Sequence, residues 1–78
     1  MPRYFFDIAD EAVVIDASGR ELADPTAARA EALARAADYA ADPVKLGGSG
    51  ILVVTVREAP DTVLMRLRLV CQVEDLTS

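Results

Sequence analysis

From Pro25 to Ala41, nine of seventeen residues are alanine, and the run opens on Asp24-Pro25 and closes on Asp42-Pro43. Alanine has the highest helix propensity of any residue, so this stretch is committed to helix. Asp24 is an N-cap, Pro25 fits the first helical position, where a missing N–H costs nothing, and the residue before Pro43 leaves the helical region. An alanine helix brings little bulk with it. The rest of the core has to come from the β-branched and aromatic runs on either side.

Those runs alternate with turns. Residues 3–8 read as a strand with Tyr4, Phe6 and Ile8 on one face and Arg3, Phe5 and Asp7 on the other. Ala9-Asp10-Glu11 turns the chain into a short second strand at 12–16, which closes a hairpin. Ala17-Ser18-Gly19-Arg20 leads to the helix, with Gly19 free to take positive φ. Residues 42–50 form a loop containing Gly47-Gly48-Ser49-Gly50. A third strand follows at 51–58, a turn at Ala59-Pro60-Asp61-Thr62 with Pro60 in its first central position, and a fourth strand at 63–73. Residues 1–78 thus form one α+β domain, ββαββ, with an antiparallel four-stranded sheet in the order 2-1-3-4. One helix, at about 25–41, packs on one face.

The sides of these elements follow from their periods. At ~100° per residue, Glu31, Arg35 and Asp38 lie on the solvent stripe of the helix. Thr26, Ala30, Leu33, Ala37, Ala40 and Ala41 lie opposite, with Leu33 the one bulky anchor and Arg29 at the edge. In the last strand Val63, Met65, Leu67, Leu69, Cys71 and Val73 face inward. One helix covers one face of a sheet and leaves the other bare. On that bare face the expected partner surface is Arg3, Phe5, Leu52, Val54, Val56, Leu64, Arg66, Arg68 and Val70, an apolar patch rimmed by arginine.

Size and charge narrow what such a domain does. A chain of 78 residues rarely draws more than about 3–5 kcal/mol from a single core and usually adds a staple. Cys71 is the only cysteine and histidine is absent, which removes disulfides, zinc and the Ser-His and Cys-His nucleophile pairs. Self-association is the remaining route, so a homo-oligomer or a complex with an unidentified protein partner is expected. The net charge of -5 disfavours nucleic acid, whose affinity rests on phosphate neutralisation. No apolar run approaches the ~20 residues of a membrane span. The N-terminus has the pattern of a strand, without a signal peptide's layout, and a lone cysteine fits a reducing compartment. Cytoplasm is the expected location.

Three motifs invite chemistry and are read as structural. The glycine loop lacks the following helix and the lysine-Ser/Thr pair of a phosphate loop. Cys71, on an inward strand face, serves as a small hydrophobe. Asp7, Asp10, Glu11 and Asp16 gather around the first hairpin, where paired carboxylates can hold a cation or act as acid and base, but the spacing lacks a Ca²⁺-loop signature. Solvated turn charges are expected instead, with no cofactor, no metal and no catalysis. Arg66 and Arg68 share a strand face with Arg57 and Arg3 nearby, and this basic spot is expected to pair with Glu58 or Asp7 across the sheet, the alternative being an anion or a partner's carboxylates.

Met1-Pro2-Arg3-Tyr4-Phe5-Phe6, the segment from Asp16 to Asp24 through Gly19 and Glu21-Leu22, and the helix core from Ala27 to Ala32 together resemble a family of short rhizobial and alphaproteobacterial proteins, a domain of unknown function. The likeness covers residues 1–41, and the hairpin from Ile51 to Val70 fits it in pattern. Asp7 stands where members often carry histidine, so a metal or acid–base role suspected for that histidine has no residue to carry it. The family it resembles has no assigned activity, so the resemblance carries over no catalytic residue. The layout of strand, hairpin, strand and alanine-glutamate helix is also similar to that of HicB-type antitoxins. The expected function is therefore a non-catalytic interaction or regulatory module. The alternatives are an antitoxin-like protein masking a basic partner and a small ligand or metal binder using the hairpin carboxylates.

Overall fold

The computed structural model describes residues 1–59 and 61–77, and the turn expected at Pro60 lies partly outside them. In chain order the elements are β1 (Arg3–Ala9), β2 (Val13–Val14), β3 (Arg20–Glu21), α1 (Pro25–Ala40), α2 (Pro43–Leu46), β4 (Ile51–Ala59) and β5 (Thr62–Val70). The fold is α+β, and every strand pairing is antiparallel. The sheet has five strands, not the four expected. Its path is β2-β1-β4-β5, with β3 also on β1. The expected order 2-1-3-4 omitted β3, two residues that pair Glu21 with Arg3 and Arg20 with Tyr4. A run so short has no alternation to betray it.

The helix begins as its cap dictates. The Ala27 amide donates to Asp24 Oδ1 at 2.8 Å, satisfying one of the orphan donors of the first turn. Asp42-Pro43 repeats that signal in miniature. The Val44 amide donates to Asp42 Oδ1 at 3.0 Å, and one helical turn, α2, occupies what was expected to be plain loop. Gly50 then opens β4 at φ +78°, and a Cβ there would stand 2.6 Å from the Cys71 carbonyl oxygen. The close approach is held by the Cys71 amide, which donates to Gly50 O at 2.7 Å.

Two orientations differ from those expected. On α1 the buried residues are Ala28, Ala32 and Ala36, one residue per turn, while Leu33 is 51% exposed. The apolar stripe is so uniformly alanine that the period does not distinguish its centre. Close packing does, because three methyl groups in a row let the helix backbone settle onto the sheet. On β4 the error is one of parity. Leu52, Val54 and Val56 are at most 1% exposed and join Tyr4, Phe6 and the three alanines in the core. They do not belong to the bare face. The pairs Phe6–Val56 and Ile8–Val54 fix this register, and a one-residue slip would turn every side chain over. Ile51, Val53, Thr55 and Arg57 take the opposite face.

The last strand is shorter and less regular than its pattern. Met65, Leu67 and Leu69 face the helix as expected. Register shifts follow Val56, leaving Leu64 between the Val56–Met65 and Arg57–Val63 pairs. A bulge of this kind reverses the alternation beyond it, so Val63 sits opposite Arg57 on the face away from the helix. Pairing stops at Val70. Val73, expected to face inward, is 85% exposed.

Candidate functional site

The face of the sheet turned away from α1 is divided into two regions. The first is covered by the chain itself. Asp16 closes the gap between β2 and β3, where that edge of β1 has no strand partner: the Phe6 amide donates to Asp16 Oδ2 at 3.0 Å. The other carboxylate oxygen accepts from the Ser18 and Gly19 amides at 3.1 and 3.0 Å. This pins the loop over Phe5. Gly19, at φ +70°, rests so close to the Phe5 ring that an added Cβ would lie 2.9 Å from it. Only glycine fits there.

Beneath the loop, Arg57 reaches across from β4. Its Nε donates to Asp7 Oδ2 at 2.7 Å, and Nη2 donates to Asp7 Oδ1 at 2.9 Å and to the Asp16 carbonyl at 3.0 Å. The Asp16 amide completes the cluster by donating to Asp7 Oδ1 at 2.9 Å. The Arg57 guanidinium also lies 5.0 Å from the centre of the Phe5 ring, a cation–π distance. Both carboxylates stay ionised below the usual range. For Asp7 the Arg57 hydrogen bond is the main cause, outweighing the cost of burial. For Asp16 burial pushes upward, and the amides of Gly19, Phe6 and Ser18 outweigh it.

Asp7, Asp10 and Asp16 are therefore braces. Asp10 accepts from the Ala12 amide at 3.0 Å and from the Tyr39 hydroxyl at 3.1 Å, tying the first turn to the end of α1. Among the described residues no group of three acidic or thiol side chains converges to hold a metal ion. Asp7 and Asp16 predict a pH dependence. Their folded pKa values lie below the unfolded value of about 3.9. Their stabilisation is thus fully present above that pH and is lost as pH falls through the folded values. Urea midpoints measured from about pH 6 down to about pH 2 should fall steeply on the acid side. Asp7→Asn should lower the midpoint at neutral pH and flatten that limb.

The second region is open. It holds Ile51 and Val53 from β4 and Val63, Arg66, Arg68 and Val70 from β5, with Leu64 at the bulge. Of the expected partner surface, Leu64, Arg66, Arg68 and Val70 are exposed here. Phe5 lies under the loop. Arg3 is engaged by it, donating to the Ser18 carbonyl at 2.8 Å and to Glu21 at 3.3 Å. Leu52, Val54 and Val56 are buried. Ile51, Val53 and Val63 were missed, and a signal for the first two was present. Thr55 and Arg57 share their parity, whereas 52, 54 and 56 are all apolar and so belong inside.

Across the β5 edge, on the helix side, lies a groove of about 470 Å³ lined by Arg29, Ala32, Leu33, Met65, Arg66 and Leu67. Arg29, Arg66 and Arg68 make no hydrogen bond or ion pair among the described residues. A domain of unknown function, DUF6894, matches residues 3–70. The chain belongs to this family. The match runs from the first residue of β1 to the last of β5, so the DUF6894 unit is the whole sheet with its helices, and the segment after Val70 lies outside it. No curated protein and no solved structure matches the chain. No helix among the described residues is long and apolar enough to cross a membrane.

Proposed function

We propose that this DUF6894 domain is a non-catalytic interaction module that self-associates through the open part of its helix-free face. One observation carries the reading. Ile51 and Val70 lie opposite each other at the end of the β4–β5 ladder, beside Val53, with Arg68 and then Arg66 next along β5, and are 51% and 63% exposed. An apolar group of this kind on a domain with an alanine-lined core favours a second copy, which would bury it and supply the missing stability. A non-catalytic role is supported by Asp7 and Asp16, whose carboxylates are occupied by Arg57 and by backbone amides. Light scattering at micromolar concentration should give a dimer. Ile51→Glu, at a site exposed in the protomer, should give a folded monomer. A wild-type protein that stays monomeric across the concentration range would overturn self-association.

A further inference from the structure

We infer that the outer edge of β5 is a strand-addition site for an extended segment of a partner protein whose side chains alternate between apolar and acidic. This rests on the reading of the domain as an interaction module but not on its dimerisation. Among the described residues β5 ends the sheet path and has no neighbour on its outer side, so its outward N–H and C=O groups are open to another strand. The Cys71 amide points inward to Gly50 O. The alternation of an antiparallel ladder then points the amides and carbonyls of Arg66, Arg68 and Val70 outward.

The chemistry on the two sides of this edge is different, and that difference defines the occupant. Residues of an incoming strand directly opposite Arg66 and Arg68 put their side chains on the helix-free face, beside two guanidinium groups that no acidic side chain among the described residues neutralises. Carboxylates fit there. The alternate residues of the incoming strand fall on the helix side, at the groove between Leu33 of α1 and Met65 and Leu67 of β5. Medium-sized apolar side chains fit there. A second copy of β5 fits poorly. A symmetric pair centred on Leu67 would set Arg66 of each chain against Arg68 of the other, and a pair centred on Arg66 would oppose that residue to itself. Like charges directly opposite in a ladder are destabilising. Arginine at this edge therefore disfavours these self-pairings while leaving the site open to a strand of opposite charge.

The test is titration of ¹⁵N-labelled protein with a short peptide of alternating valine and glutamate, and with its valine–lysine counterpart, followed by NMR. The valine–glutamate peptide should shift and protect the amides of Arg66, Arg68 and Val70 and leave β2 unchanged. The lysine peptide should not bind. The double variant Arg66→Glu/Arg68→Glu, altered at exposed positions, should weaken the first peptide by about tenfold or more and gain affinity for the second. Run on Ile51→Glu as well, the titration separates this site from the dimer face, since edge binding should persist in that monomer. The inference is overturned if neither peptide perturbs the β5 edge at millimolar concentration, or if both bind equally. It is also overturned if the outer β5 amides are already protected in the free wild-type protein, because a second copy would then occupy the edge.

Discussion

Replacing Phe6 with alanine should leave the domain unfolded at room temperature. Phe6 is 2% exposed, pairs with Val56 in the centre of the sheet, and carries the Arg35 guanidinium 4.6 Å above its ring. Large-to-small changes of this kind cost about 3–5 kcal/mol, made up of lost transfer energy and the cavity left behind. The cost depends on how well the site can collapse, and here it cannot. The buried residues of the helix are Ala28, Ala32 and Ala36, and a methyl has no rotamer with which to fill a hole. Against the roughly 3–5 kcal/mol that a single core of this size supplies, the loss is most or all of it. Leu33→Ala is the matching control. An exposed leucine on the groove rim should cost less than about 1 kcal/mol, whereas the same substitution at a central anchor would cost several times more. Circular dichroism with urea titration reads both. A folded Phe6→Ala protein with a small loss would mean that the core is held elsewhere.

That pair of variants also marks the boundary of what the sequence makes legible. Strand and helix segments are readable because their signals are local: β-branched alternation, the Asp24 cap, Pro25, and the Asp42-Pro43 stop. The inward set Tyr4 and Phe6 is readable because Arg3 and Asp7 hold the other parity. The face of α1 is not readable from period alone, since an alanine stripe has no steep apolar gradient to locate. The parity of β4 is recoverable only when Thr55 and Arg57 are weighed against the apolar runs around them. The bulge at Leu64 and the two-residue β3 depend on pairing partners far along the chain, and no local residue announces either. The arginine-lined β5 edge was legible in part. Arg66 and Arg68 share a face by alternation alone, but the groove behind them required knowing that Leu33 lies outside the core. The role of Asp16 was hidden for a related reason. A carboxylate that replaces a strand in the ladder looks, in sequence, like any solvated turn residue.

Asp16→Ala tests that last point and separates the structural use of the hairpin carboxylates from a chemical one. The substitution orphans the Phe6 amide in the middle of β1 and frees the Ser18 and Gly19 amides. Hydrogen bonds to a charged acceptor are worth about 1.5–3 kcal/mol, and an unsatisfied buried donor costs about 1–3 kcal/mol. Ser18 lies in solvent and recovers its bond from water, so the net loss should be about 2–4 kcal/mol, or roughly 10–30 °C in Tm for a domain of this size. Asp16→Asn should fall between wild type and alanine, because an amide keeps one acceptor oxygen but turns a donor group towards one of the N–H donors. The loop should also loosen over Phe5, giving faster amide exchange at Arg20 and Glu21 as β3 detaches from β1. If Asp16→Ala keeps its full stability and its β3 protection, the carboxylate is not a brace. The hairpin would then hold an ionised group that the fold does not need, and the case for a ligand or acid–base role at Asp7 and Asp16 would reopen. Loss of stability together with faster exchange in β3 assigns Asp16 to the architecture.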